Sequence, residues 1–365
     1  MPKVERLLTN YVKNNDKVID TTHEVTVYNK SSNKKNSPQK RDYFFKKASA
    51  SAASKEASAA AFYRLLVGKR VPDVSLAYNS QKQCGGTISK EIAGFIAAAS
   101  VRQKYRNFDP SSWVKSGLAR ILVSSMIFAE GDLTEGNWGF NNNGNVVRID
   151  FGRSLDYVSH PITERDVLNL LELKDFNASA WPRIVWVDKD NEEFKAFERE
   201  KWHYFLKAIL PTKDLWLKTA YPYNKHAANN DHIEKQIRRI QDLKTLLINL
   251  PQFQDFLLTN PDSIDQICEE FSEYNQQLKA DLEQTFLVDI KEIKIEYKQI
   301  IDEVKKKVAP QEVTTVPTHQ TNKDDEDGFR RDYLPSNFAM ASYFFAKNTC
   351  EQINEDLTDN VVNTI

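Results

Sequence analysis

The segment EGDLTEGNWGFNNNGNVVRIDFG, Glu130 to Gly152, constrains this chain more than any other. It sets two acidic residues, Asp132 and Asp150, around a carboxamide, Asn137. Before it, LARILVSSMIFAE has helical periodicity, with Leu118, Ile121, Leu122, Ser125, Phe128 and Ala129 on one face. Gly131 is expected to break that helix. Asn141 to Gly144, NNNG, signals a hairpin turn, because Asn and Gly tolerate positive φ at low cost. NVVRIDF has the β-branched content of a strand. The segment thus reads as helix, polar loop, short strand, turn and short strand. Asp132 lies on the loop, Asp150 lies at the end of the second strand, and the hairpin brings the loop ends together.

Two carboxylates and a carboxamide at a hairpin mouth suit Mg²⁺, a hard cation usually held by one or two carboxylates plus phosphate oxygens. Phosphoryl transfer asks mostly for positioning and charge neutralisation. The pattern resembles the protein kinase superfamily, in which Asp, four residues and Asn form the catalytic loop and Asp-Phe-Gly the metal loop. Here these read DLTEGN and DFG. The resemblance implies an α+β, bilobal protein-kinase-like fold: a small β-sheet N-lobe with one helix, and a mostly helical C-lobe with a helical extension. It implies that Asp132 is the catalytic base or orients the acceptor, and that Asn137 and Asp150 hold Mg²⁺, with Mn²⁺ as an alternative ion.

A kinase of this kind needs an ATP-anchoring Lys on a strand and a Glu on the following helix. RDYFFKKAS fits the strand, and SKEASAAAFYRLLVG (Ser54 to Gly68) fits a helix ended by Gly68, with Glu56 in its first turn. Lys46 and Lys47 alternate in side-chain direction, so only one can face inward. Lys46 is preferred, because FFK resembles the apolar-apolar-Lys strand ending of HipA-like and phosphoinositide-kinase-like enzymes. An acid in a first turn is also favoured by the helix dipole alone, so Glu56 has a structural reading as well. EASAAAFYRLLVGKRVPDVSLAY, GGTISKEIAGF (Gly85 to Phe95, strand and hinge) and NWGF are similar to segments of the same atypical kinases. The resemblance covers residues 24 to 155.

Departures from the family are as informative. No G-x-G-x-x-G covers the phosphates; the hairpin region VYNKSSNKKNSPQKRDYFF offers backbone amides and Lys34, Lys35 or Lys40 instead. Glu130-Gly131 stands where His-Arg usually precedes the catalytic Asp, and no Ala-Pro-Glu follows Asp150. Docking of a phosphorylated activation loop therefore lacks its usual Arg.

The expected organisation is an N-lobe at 1–88, a C-lobe at 89–225, a helical extension at 226–308, a flexible linker at 309–335 and a C-terminal helical segment at 336–365. PITERDVLNLLELK begins with Pro161 and has Thr163 as its cap. Residues 181–189, WPRIVWVDK, read as extended, and YNQQLKADLEQTFLVDIKEIKIEYKQIIDEVKKKVA as one long helix. A net charge of −1 provides no global field to recruit nucleic acid. Cys84, Cys268 and Cys350 are odd in number and far apart, which suggests neither disulfides nor a zinc site. No apolar run reaches membrane-spanning length, and the first residues lack a signal-peptide core. The Lys- and Asn-rich composition and the kinase resemblance together point to a secreted effector kinase of the Legionella type, working in host cytoplasm or at a membrane surface, with a cytoplasmic protein as the alternative.

The expected reaction is transfer of the ATP γ-phosphate to a protein Ser/Thr hydroxyl. Two alternatives stand beside it: a phosphoinositide or other small-alcohol kinase, and an inactive nucleotide-binding scaffold. Basic clusters (Arg102, Lys104, Arg106; Lys235, Arg238, Arg239, Lys244; Lys305 to Lys307) suggest an inositol polyphosphate or phosphoinositide headgroup as activator.

Overall fold

The first sheet of the computed structural model contains β1 (Glu5–Leu7), β2 (Tyr11–Lys13), β3 (Val25–Lys30), β4 (Asp42–Lys47), β5 (Val74–Tyr78) and β6 (Cys84–Lys90). Its order is β1-β5-β6-β4-β3-β2. Neighbours are antiparallel except β1 and β5, so the sheet is mixed. The structure describes residues 5–15, 25–30, 42–104, 113, 115–172, 191–226, 231–281 and 287–309. The expected linker, the C-terminal segment and the stretch 181–189 lie outside these. The described residues all belong to one compact unit, Met1–Ala309, and its class is α+β as expected.

Helix α1 (Ala50–Val67) lies against β5 and β6. Its other neighbours include α3 (Leu118–Ile127) and α6 (Lys213–Ala220). Small side chains at Ala53, Ala57 and Ala60 are fully covered, so the helix is buried nearly all round. It starts earlier than the sequence suggests: Ser49 is the cap, accepting from the Ala52 amide at 3.2 Å. Glu56 is therefore in the second turn and not the first, too deep for the helix dipole to account for it. Gly68 ends the helix at φ 59°, as expected.

After β6 the chain enters a second sheet of β7 (Ile96–Ala97), β8 (Trp138–Phe140) and β9 (Val146–Arg148), in the order β7-β8-β9. β8 and β9 are the expected hairpin, with Trp138 opposite Arg148 and Gly144 at φ 69° in the turn. Between β7 and β8 in sequence come α2 (Ala98–Lys104) and α3. α3 is buried on all sides, not on one face. Gly131 does not end it. The Ala129 amide bonds to Met126 O at 3.2 Å and the Glu130 amide to Ser125 O at 2.9 Å. Ala129 itself sits at φ 50°. This is a Schellman closure made without glycine, and it turns the chain two residues before the expected break.

The remaining helices are α4 (Glu164–Leu168), α5 (Glu192–Ile209), α7 (Asp231–Asn249), α8 (Pro251–Thr259), α9 (Ser263–Asp281) and α10 (Ile290–Val308). Thr163 caps α4 as expected, in a capping box with Asp166. The single long helix expected from Tyr274 onward is instead divided between α9 and α10. Asn275 holds the second piece to the first, with both side-chain groups 2.8 Å from the backbone of Val288. α10 then places Ile293, Ile300 and Val304 in the core. From α7, Gln236 donates to Ile127 O at 2.8 Å, and Arg239 donates to Ile127 O at 3.2 Å and Met126 O at 3.0 Å. These two side chains supply donors to the Ile127 carbonyl and a second donor to Met126 O, which already accepts from the Ala129 amide.

Candidate functional site

Lys46 stands near the end of β4, and Lys47 beside it is exposed. The neighbouring strand can run this close because Gly86 has no side chain: a Cβ there would lie 2.0 Å from Lys46 O. The Lys46 Nζ is 2.7 Å from Asp150 Oδ1 and 3.5 Å from Glu56 Oε2. The inward lysine is therefore Lys46, and strand β4, helix α1 and the Asp-Phe-Gly turn meet at its head. Asp150 is at φ 56°, a left-handed conformation that Asp adopts more readily than most residues. Its Oδ1 also accepts from the Gly152 amide at 3.0 Å. A Cβ at Gly152 would fall 2.8 Å from the Lys46 Nζ, so the third residue of this turn leaves room for the ammonium.

The three charges are not equivalent. Burial pushes the Glu56 carboxyl up to about 7, against the opposing pull of Lys46. Burial also disfavours the charged form of Lys46, but Glu56 and Asp150 outweigh it and hold the ammonium above its ordinary range. For Asp150, burial is outweighed by Lys46 and by the Gly152 amide, which keep the carboxyl low. The apparent conflict, a carboxyl raised beside a cation, follows from sharing: Lys46 lies closer to Asp150, and Glu56 is the more deeply buried competitor.

Asn137 immediately precedes β8, and the Ile149 amide donates to Asn137 O at 2.8 Å. Asn137 and Asp150 thus lie at the same open end of the hairpin. The Asn137 carboxamide nitrogen donates to Asp132 O at 3.1 Å, which closes the loop between them and leaves its Oδ1 available. Among the described residues the second oxygen of Asp150 likewise carries no hydrogen bond. Hard oxygen donors of this kind fit Mg²⁺ shared with phosphate oxygens. No group of three or more His, Cys, Asp and Glu side chains that could hold a metal ion is gathered among the described residues.

Sequence reasoning missed Glu130 and Arg148. Both side chains are fully buried and paired at 2.8 Å. Glu130 accepts from the Asp132 amide at 2.8 Å, from Tyr63 of α1 at 3.4 Å and from the Ser154 hydroxyl. Arg148 donates to Asn137 O at 2.9 Å, to Asp132 O at 3.3 Å and to Ile149 O. Burial would lower the guanidinium's affinity for its proton, but Glu130 restores it and raises it further. One signal was present in the sequence: each charge interrupts an apolar run, IFAE and VVRI, and the two have opposite signs.

Several members of the expected basic clusters already have partners among the described residues. Arg239 spends its guanidinium on the end of α3. Lys235 pairs with Asp231, Lys244 with Glu296, and Lys307 with Glu303. Arg106, the side chains of Arg102 and Lys104, and Lys34, Lys35 and Lys40 lie outside the described residues. A cavity of about 710 Å³ opens elsewhere, lined by Arg120, Arg199, Glu200 and His203 among others. None of the candidate residues lines it. Its Arg120 and His203 already face Glu200 and Glu270.

Residues 98–209 match the family model described as the LepB N-terminal domain. The match covers less than half of the chain. It contains Glu130, Asp132, Asn137, Arg148 and Asp150 and leaves out Lys46 and Glu56. No curated protein matches the chain.

Proposed function

We propose that this protein is an ATP- and Mg²⁺-dependent phosphotransferase with a bilobal, protein-kinase-like architecture. The first sheet with α1 would be the nucleotide-covering lobe, and α2 to α10 with the hairpin the second. One observation carries this reading: Lys46, Glu56 and Asp150 converge from three separate elements, beside the hairpin mouth that holds Asp132 and Asn137.

The chain's own groups divide the work. Lys46, held charged by two carboxylates, neutralises phosphate oxygens and keeps Glu56 as its partner when Asp150 turns to the metal. Asp150 and Asn137 would hold Mg²⁺, which when bound neutralises charge on the transferring group. Asp132, partly exposed at the loop, orients the acceptor hydroxyl and takes its proton. The proposed acceptor is a protein Ser/Thr hydroxyl, and the proposed setting is that of a bacterial effector in host cytoplasm. No described helix is long and apolar enough to cross a membrane.

The test is transfer from γ-labelled ATP by the whole chain, offered to lysate proteins in one arm and to phosphoinositide vesicles in another, each with and without inositol hexakisphosphate. Label on protein supports the acceptor proposed here, and label on lipid alone moves it to a lipid alcohol. A rate unchanged by the polyphosphate removes the activator. Transfer by the Asp150→Ala protein at the wild-type rate would overturn the reading.

A further inference from the structure

Asp132, Asn137 and Asp150 are spread over nineteen positions, numbered 132 to 150, yet one side chain touches the backbone at all three places. The Arg148 guanidinium donates to the carbonyls of Asp132, Asn137 and Ile149. Two of these belong to the proposed site residues, and the third belongs to the peptide that carries Asp150. The guanidinium is fully buried and stacks over Phe151 at 5.6 Å. Its counter-charge, Glu130, holds the Asp132 amide from the other side. Asp132 is therefore gripped by its own N–H and its own C=O, by two side chains that also grip each other. Tyr63 ties this pair to α1, the helix that carries Glu56.

From this we infer that Glu130 and Arg148 are positioning residues of the proposed transfer reaction, setting Asp132, Asn137 and Asp150 relative to one another. The inference rests on the phosphotransferase reading for its activity readout and on the geometry alone for its second readout. The physical case is one of fixed geometry. A planar guanidinium offers five donors in a rigid fork, so three carbonyls that accept from it cannot drift independently. A lysine at the same place would keep the charge and the pairing with Glu130, but its three donors are too few for Glu130 and all three carbonyls. The arrangement also changes what the loop depends on. Its order depends on Arg148 of β9, and that cation's counter-charge, Glu130, lies two residues before Asp132.

A purely structural pair predicts something different, and the difference is measurable. Buried ion pairs can often be replaced together by apolar side chains without loss of stability. If the pair serves folding alone, Glu130→Met/Arg148→Met should regain both stability and activity. Positioning predicts that this double variant melts near wild type yet transfers phosphate 10²-fold or more slowly, with KM for ATP little changed. Should the double variant fail to fold, Arg148→Lys decides the matter: kcat should fall at least tenfold while KM for ATP and the melting temperature stay near wild type. Wild-type kcat in a folded double variant, or in Arg148→Lys, overturns the inference.

Hydrogen exchange supplies the readout independent of activity. In Arg148→Lys the amides of residues 131–138 and 149–152 should exchange at least tenfold faster, with those of α3 and α7 unchanged. Unchanged exchange across both loops overturns the inference even if the wild-type chain transfers no phosphate, an outcome that would itself count only against the phosphotransferase reading.

Discussion

The side chains of Glu130 and Arg148 are wholly enclosed, whereas those of Lys46, Glu56 and Asp150 keep 16%, 8% and 30% of their exposure. Both clusters sit around the same hairpin, and both mix signs. In the enclosed one, one anion meets one cation and each has further hydrogen bonds to backbone or hydroxyl groups. In the open one, two carboxylates compete for one ammonium. Removing either member of the enclosed pair strands a charge away from water. The open cluster has a carboxylate to spare, so under the proposed function it would change partners when phosphate and a metal ion arrive. Access to solvent separates the two clusters: the enclosed one holds shape, and the open one would, on the proposed function, meet the ligand.

The largest effects should come from breaking the open cluster chemically. Asp150→Ala should bring phosphate transfer down to background with the fold retained, measured by labelled ATP and by circular dichroism. Asp132→Ala should lower turnover by about 10²- to 10⁴-fold while nucleotide binding persists, as loss of a positioned base does. Breaking the enclosed pair should show up in stability instead. Glu130→Ala or Arg148→Ala should cost about 3–5 kcal/mol in urea unfolding, the usual consequence of leaving one buried charge unpaired. Lys46→Met should lose less stability than either, yet weaken productive ATP placement more than Lys47→Met does. A larger effect from Lys47→Met would reverse the assignment of the inward face.

A smaller effect separates the clusters by pH. The folded state raises Glu56 from its ordinary value to about 7, so between those values the native protein binds more protons than the unfolded chain. Its contribution to stability is present at low pH and is lost as pH rises through about 7. Asp150, held low, contributes the opposite way, and loses its share only as pH falls below the ordinary carboxylate range. The stability difference between wild type and Glu56→Gln should therefore shrink as pH rises from about 4.5 to about 7. A difference that stays flat across that window would show that Glu56 is as fully ionised as an exposed acid. The smallest effect belongs to a fully surface pair: Lys235→Met, which removes the partner of Asp231, should change stability by no more than about 0.5 kcal/mol.

Local chemistry made much of this legible. Asn-rich turn residues marked the β8–β9 hairpin, Thr163 marked a helix start, Gly68 marked a helix end, and the alternation of Lys46 and Lys47 left one lysine facing inward. What escaped was decided by contacts distant in sequence. α3 ends at Ile127 because its carbonyls find partners in α7 and its chain closes through Ala129, a residue with no turn signature. The break between α9 and α10 depends on Asn275 meeting Val288, which periodicity does not register, since both sides of the break keep a helical pattern. Arg148 looked like an ordinary strand residue because three of its four acceptors are carbonyls, and a carbonyl leaves no mark on the sequence.

The reach of Gln236 and Arg239 back to Met126 and Ile127 bears on how such a chain can be inherited. The polar loop with Asp132 is mounted on the end of α3, and that end is completed by side chains more than a hundred residues later. A gene rearrangement that kept residues 1–225 and discarded α7 would leave the Ile127 carbonyl of the loop's own support without the donors it has here. The extension is therefore no detachable module. The smallest portion that could move between genes with this loop geometry intact has to run at least through Asn249, and descent should preserve a hydrogen-bond donor at 236 and 239 wherever it preserves the loop.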